Sequence, residues 1–263
     1  MSSSCRNCGT ALAGPYCTAC GQAEEDGHAT TVSLLVREAL QEISDVDGKV
    51  LRTVVALFTR PGRLTGEYWE GRRASWVRPL RIFLLAAALH FVAVPGIGPM
   101  NFEILLQRTP NGSLDVSVGT AARRRAGQGG LVEVSESERL AYLERLRDTY
   151  STTRYFAPLV FAMGTWFVYR RRQPFLASHI VMAGHFYAFW YLVSVVTSRL
   201  PFSVAGGWIG VALSASYLFL MLRTLFDDRV GPALAKTTVL YLAMVVLEMG
   251  MALAVSLWVA RAS

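Results

Sequence analysis

The chain has 263 residues, 52% of them hydrophobic and only 17% charged. Soluble domains carry about 25% charged residues, so the composition excludes an ordinary soluble domain and points to lipid-facing surface. The net charge of +7 would suit nucleic acid in a soluble protein. Here the arginines flank apolar runs, where they orient helices against anionic lipid, and nucleic acid is not favoured.

The first residues, MSSSCRNCGT, are polar and read as no secretory signal peptide. All four cysteines of the chain follow at once, as Cys5-x2-Cys8-Gly9 and Cys17-x2-Cys20-Gly21. Two residues between cysteines let both thiolates point at one ion. The glycine beyond each pair allows the turn whose backbone N–H groups approach sulfur. Four thiolates make the closed tetrahedral set of structural zinc. Such sites contribute about 10–16 kcal/mol in small domains, enough to fold a module of this size with almost no core. Residues 1–22 are therefore expected to form a zinc ribbon on Cys5, Cys8, Cys17 and Cys20, with Zn2+ in a structural role and no open position for zinc catalysis. The competing readings are two disulfides, a redox C-x2-C and a four-thiolate iron site. The first is disfavoured in the cytoplasm, and the second lacks its usual α/β domain. Iron ranks behind zinc for this ligand set.

Residues 23–79 carry a short acidic linker, amphipathic helices and a basic interfacial segment. Val32, Leu35, Val36, Ala39, Leu40, Ile43 and Val46 fall on one helical face. Asp47-Gly48 breaks the pattern, Val50 to Phe58 resumes it, and Arg60-Pro61-Gly62 stops it. This stretch is too polar to span a bilayer. Its acidic polar face (Glu38, Glu42, Asp45, Asp47) favours packing on the membrane domain over lying in the lipid interface. Arg60 to Arg81 then brings six arginines against two glutamates, with Tyr68, Trp69 and Trp76 interleaved. That is the composition of a cytoplasmic membrane interface. Arg60, Arg63, Arg72, Arg73 and Arg78 are candidate contacts to lipid or phosphate, since guanidinium forks bind phosphate bidentately.

Apolar spans are expected over about 80–99, 154–169, 175–197, 201–222 and 237–260. A spanning helix needs roughly 17–25 mostly apolar residues. The second span meets this only if its helix extends backward, and four spans is the alternative. Between the first and second lies a polar insertion, 100–153. It holds a hairpin signal at Asn111-Gly112 and a capping box, Ser135 with Glu138, ahead of a helix through Leu140, Leu143 and Leu146. The fold class is thus an all-α membrane bundle of about five transmembrane helices with a small N-terminal four-cysteine zinc ribbon. With five spans, the arginines of 60–81, 170–172 and 223–236 share one side. That side should be the cytoplasm, together with the N-terminus.

Several strings together resemble a known group. They are C-x2-C-G-x6-Y-C-x2-C-G-Q (Cys5 to Gln22), R-P-G-x3-G-E-Y-x2-G-R-R (Arg60 to Arg73) and the Pro-Leu-Arg-Ile-Phe run that opens the first span. They are similar to the bacterial membrane proteins catalogued as domain of unknown function 3667, over Cys5 to about His90. The resemblance implies a bacterial inner-membrane protein. It implies no activity and no catalytic residue.

Ionisable groups inside spans are functional candidates. His90, His179, His185 and Glu248 form a candidate polar membrane site. His179 and His185 are six apart and cannot chelate one ion from one straight helix. Histidines hydrogen-bonded within the packing are favoured over a haem or metal site. The sequence contains no H-E-x-x-H, G-x-S-x-G or P-loop. Asp227-Asp228 reads as a solvated, charge-balanced turn beside Arg223 and Arg229. Three functions remain. The leading one is a non-enzymatic docking or assembly protein, binding a protein partner through the ribbon and surrounded by membrane lipids. The others are a transporter or lipid-handling protein using Glu248 and the histidines, and a lipid-phosphate enzyme.

Overall fold

The computed structural model describes residues 4–23, 48–94, 104–108, 114–118, 132–133, 135–154, 156–200 and 203–262. The expected helix over 32–46, the Pro95–Gly98 breakers, the Asn111-Gly112 turn and Arg123–Arg125 lie outside these residues. Among the described residues the chain forms eight helices and one small sheet.

Helix α1 (Gly48–Thr59) and the short α2 (Arg63–Trp69) make a helical hairpin turned at Pro61-Gly62. Gly62 has φ 84°, and a Cβ there would meet Thr224 Cβ at 3.0 Å, so only glycine lets the turn approach its neighbour so closely. Helix α3 (Pro79–Ala93) begins with its proline in the first turn, where a missing N–H costs nothing. Arg78 before it is extended, as a residue preceding proline should be. Strands β1 (Ile104–Arg108) and β2 (Leu114–Val118) pair antiparallel in the register Arg108↔Leu114, the expected hairpin. The two-residue β3 (Val132–Glu133) pairs on the other edge of β1, which adds a strand to the all-α expectation.

Helix α4 (Glu136–Arg154) opens with the capping box. The Glu138 amide donates to Ser135 Oγ at 3.3 Å, and the Ser135 amide donates to Glu138 Oε2 at 3.1 Å. Helices α5 (Ala157–Tyr169), α6 (Leu176–Thr197), α7 (Ser203–Phe226) and α8 (Val230–Ala262) complete the chain.

Helix α6 is the axis of the bundle. It is apolar all round, and sixteen of its 22 residues are buried, as such a helix must be. Helix α3 runs parallel to it, from Pro79 against Gly184 to His90 against Ser194. Helices α5 and α7 run antiparallel to it, with Phe161 stacked on Phe186 at 5.0 Å and Tyr217 stacked on Phe189 at 3.8 Å. The α1–α2 hairpin packs beside the first turns of α6, with Phe58 on Phe189 and Tyr68 on Ala177 and Val181. This is why α3 begins level with Gly184, about two turns into α6.

Among the described residues, three helical stretches are long and apolar enough to cross a membrane: Leu176–Thr197, Gly207–Phe226 and Val230–Val259. The other two expected spans form shorter apolar helices, Pro79–Ala93 and Ala157–Tyr169. At 1.5 Å per residue these reach only about 20 Å. By length alone, three of the five expected spans are long enough to cross among the described residues. Helix α8 errs the other way, since 33 residues make about 50 Å, well beyond the roughly 30 Å of hydrocarbon. Its last turns carry α4: Tyr142 and Leu146 pack on Val255 and Val259, and Tyr142 Oη donates to the Ser256 carbonyl at 3.2 Å.

Candidate metal centre and its seat on the helical domain

The ribbon is two copies of one knuckle, twelve residues apart. In each, the glycine amide closes a turn onto the first cysteine's carbonyl, Gly9 on Cys5 at 2.8 Å and Gly21 on Cys17 at 2.9 Å. Both glycines have positive φ, 79° and 72°. The chain then returns antiparallel, through the bridges Ser4↔Ala11 and Tyr16↔Ala23. Folding the copies together brings the four sulfurs within 4.8 Å of one another. Cys5 and Cys20 sulfurs are 3.6 Å apart, and Cys8 and Cys17 sulfurs 3.5 Å. These are far from a disulfide, which has S–S of about 2.0 Å. They are close to the edge of about 3.8 Å that a tetrahedron with 2.3 Å metal–sulfur bonds requires. Hydrogen bonds with the hydroxyl and amide of Thr10 lower the exposed Cys8 thiol to about 6, whereas at Cys20 a hydrogen bond to the Gln22 backbone is outweighed by burial and the Cys5 and Cys8 sulfurs, which raise that thiol to about 11. The four cysteines can hold one metal ion, and the donor set is all sulfur.

The ribbon does not hang from its linker. The Gln22 side chain, just beyond the second knuckle, binds the loop after α2 as a strand edge would. Its Oε1 accepts from the amides of Arg73 and Ala74, each at 3.1 Å, and its Nε2 donates to the Gly71 carbonyl at 2.7 Å. Ser75 Oγ donates to Asn7 Oδ1 at 3.1 Å from the other knuckle. Gly71 has φ 83°, and a Cβ there would lie 3.0 Å from Arg6 Cδ.

The seat is itself braced. Glu67 accepts from Arg63 Nε at 2.6 Å and from Trp76 Nε1. Burial pushes the Glu67 carboxyl up, but these bonds and the charges of Arg63 and Arg72 outweigh it and hold it below the usual carboxylate range. Arg52 of α1 stacks on Trp76 at 5.3 Å and donates to the Ser75 carbonyl. The Val77 amide donates to the buried Thr53 hydroxyl at 3.1 Å. Below, α2 is tied into the bundle. Trp69 Nε1 donates to the Ser178 carbonyl at 3.0 Å, and the Thr65 hydroxyl lies 2.8 Å from His185 Nδ1 in a buried contact.

The segment read from sequence as a basic connector is thus a platform, and three of its arginines are engaged by neighbouring side chains of the same segment. Arg63 is bonded to Glu67, Arg72 pairs with Glu70, and Arg73 lies over the Tyr68 ring at 4.6 Å. Arg78 sits half-buried at the start of α3, and Arg60 is exposed. Neither Gln22 as the latch nor Thr65 as a buried partner was among the residues expected from the sequence. The quoted C-G-Q string carries the first, because its counterpart in the other knuckle is Thr10, and a repeat that breaks its own symmetry marks a contact.

The intramembrane candidates are not drawn together. His90 Nδ1 lies 2.6 Å from Ser194 Oγ. His179 lies 3.2 Å from Thr165 Oγ1 and 3.1 Å from the Gln173 carbonyl. His185 reaches Thr65. Their levels on α6 differ by about 9 Å and more at 1.5 Å per residue, so one ion cannot join them. Glu248 is buried in α8. The Asp227-Asp228 turn needs correction. Asp227 is exposed with φ 48°, but Asp228 is buried and binds neither Arg223 nor Arg229. It accepts from Tyr169 Oη at 2.7 Å, Arg172 Nη1 at 2.8 Å and Lys236 Nζ at 2.8 Å. Three donors therefore hold the carboxylate in an ion-paired, hydrogen-bonded turn.

Residues 47–91 match a family described as a protein of unknown function, DUF3667. The matched DUF3667 stretch runs over α1, α2, the seat and nearly all of α3, and so contains the surface that the ribbon occupies but not the ribbon itself. The resemblance to DUF3667 is shown over that stretch. No curated protein and no solved structure matches the chain.

Proposed function

We propose that this chain is a multi-pass protein of the bacterial inner membrane that acts as a non-enzymatic docking or assembly protein, with a structural zinc ribbon on the cytoplasmic side. The observation that carries the reading is the Gln22 latch. A closed four-thiolate module fixed by its own side chains to a braced platform is built to present a rigid surface. Tyr16 stands on that surface, 65% exposed. Zinc is the ion that best suits four thiolates in a closed set. The cytoplasmic side is the end of the bundle where 60–81, 170–172 and 223–236 meet, by the preference of arginine for that face. Helices α3 and α5 complete the crossing in this reading, as shorter members packed on α6.

The alternatives draw less support. A transporter using Glu248 and the histidines would need those groups around one path, and each histidine has its own packing partner. A lipid-phosphate enzyme would draw on an acid facing its substrate, and Asp228 is instead buried and paired with Arg172 and Lys236.

The test is purification of the full chain in mild detergent, as wild type and as Tyr16→Asp. A stoichiometric companion protein retained by the wild type and lost with Tyr16→Asp is the expected result. If the wild type purifies alone, or if the variant keeps the same companions, the docking reading fails.

A further inference from the structure

Three basic segments, far apart in sequence, meet at one end of the bundle. Gly62 touches Thr224, Trp69 packs on Phe226 at 5.8 Å, and Arg172 donates to the Phe226 carbonyl. Counting 48–81, 170–173 and 223–236, this end holds fourteen Lys and Arg against four carboxylates. Three of the four are taken, Glu67 by Arg63, Glu70 by Arg72 and Asp228 by Arg172 and Lys236. Arg60, Arg170, Arg171, Arg223 and Arg229 are exposed, and none has an ion pair among the described residues. Two of them stand over aromatic rings of the helix turns just inside: Arg170 over Phe167 at 5.0 Å and Trp166 at 6.0 Å, and Arg223 over Phe219 at 5.8 Å. The surface beside them is apolar, with Phe167 67% exposed and Leu220 46%. Guanidiniums directly above exposed apolar surface belong at a water–hydrocarbon boundary, not on a nucleic-acid groove.

We infer that these five arginines form a collar that binds the head groups of anionic phospholipids, in preference to zwitterionic ones. Apart from Arg60, the set differs from the motif arginines of 60–78, of which Arg63, Arg72 and Arg73 are engaged by Glu67, Glu70 and Tyr68. An isolated guanidinium keeps both of its N–H pairs for a phosphate. Several of them around one rim collect anionic head groups, each arginine contributing about a five-fold preference. This rests on the three long helices crossing a membrane. Alkaline carbonate extraction tests that premise by itself, because a protein released into the aqueous fraction would refute the membrane reading whatever the lipid result.

The experiment is native mass spectrometry of the full chain, purified in detergent and offered an equal mixture of phosphatidylglycerol and phosphatidylcholine. The wild type should retain phosphatidylglycerol preferentially, and the preference should fall as sodium chloride rises. Arg170→Gln with Arg171→Gln should lower it at least about five-fold. Arg139→Gln with Arg145→Gln, at the far end on α4, should leave it unchanged. Equal retention of both lipids, a salt-insensitive preference, or an equal loss from the α4 pair would overturn the collar. So would tighter binding of a nucleic-acid duplex than of lipid to the same arginines.

Discussion

Gln22 Nε2 donates to the Gly71 carbonyl at 2.7 Å, across 49 residues of chain, while its Oε1 accepts from the amides of Arg73 and Ala74. A single carboxamide therefore satisfies three backbone groups of a loop that pairs with no strand. Gln22→Ala removes all three bonds at once. At about 0.5–1.5 kcal/mol net for each, the ribbon should undock. Faster hydrogen exchange at Arg73 and Ala74, with the metal content unchanged, is the expected outcome. Unchanged protection would show that the latch holds nothing.

Metal removal should reach the same loop by another route. The knuckles have few apolar contacts, so the ion supplies most of the folding free energy. One zinc per chain is expected in elemental analysis. A strong chelator, or Cys17→Ser, should abolish it and expose Arg73 and Ala74 as Gln22→Ala does. Metal loss without a change in exchange at the seat would separate the two.

Glu67 and Asp228 give the pH dependence. Asp228 is raised by burial, but the hydrogen bonds and charges of Lys236, Tyr169 and Arg172 more than offset this, so it too lies below its ordinary range. Both folded-state values lie below the unfolded ones. Their stabilisation is therefore complete above the unfolded values of about 4 and is lost as pH falls through the folded ones. The contribution of these two carboxylates to thermal stability in detergent should be unchanged from pH 7 to 5 and should be lost below about 4. Glu67→Gln and Asp228→Asn should each reduce that loss.

The two aspartates of the turn should also part company at neutral pH. Asp228→Asn strands Arg172 and Lys236 and should cost about 1–3 kcal/mol, less than a fully buried pair because both cations reach water. Asp227→Asn should fall within about 0.5 kcal/mol of wild type. A thermal melt of the two variants side by side decides it.

Thr65→Val keeps the volume of the buried Thr65 and deletes its contact to His185. Leaving a buried polar atom without its partner costs about 1–3 kcal/mol. Lower melting with an unaltered lipid preference is the outcome that fits a purely structural contact.

Much of this was legible beforehand, and the failures have a common cause. The knuckles, the α1 stop at Arg60, the hairpin pairing and the Ser135–Glu138 cap are set by residues close in sequence, where spacing and turn chemistry decide geometry. The 60–78 segment was legible in composition only. Whether Arg63 meets a phosphate or Glu67 depends on a seven-residue helix that no period could reveal, and on a ribbon contact 49 residues away. Asp228 misled for the same reason, since Arg223 and Arg229 are its neighbours in sequence while Arg172 and Lys236 are its neighbours in space. The long spans were clear from hydropathy. The shortness of the second span, which becomes α5, was legible in the same way, since its apolar run crosses only if extended backward.

Helix α8 begins beside the Lys236–Asp228 pair and ends under Leu146 of α4, without a break. A rod about 50 Å long is stiff on that scale. A tilt of roughly 5° about its middle would move each end about 2 Å in opposite directions. The insertion helix on one side and the charged turn on the other are therefore joined by one continuous helix, so the same element carries the contacts at both ends.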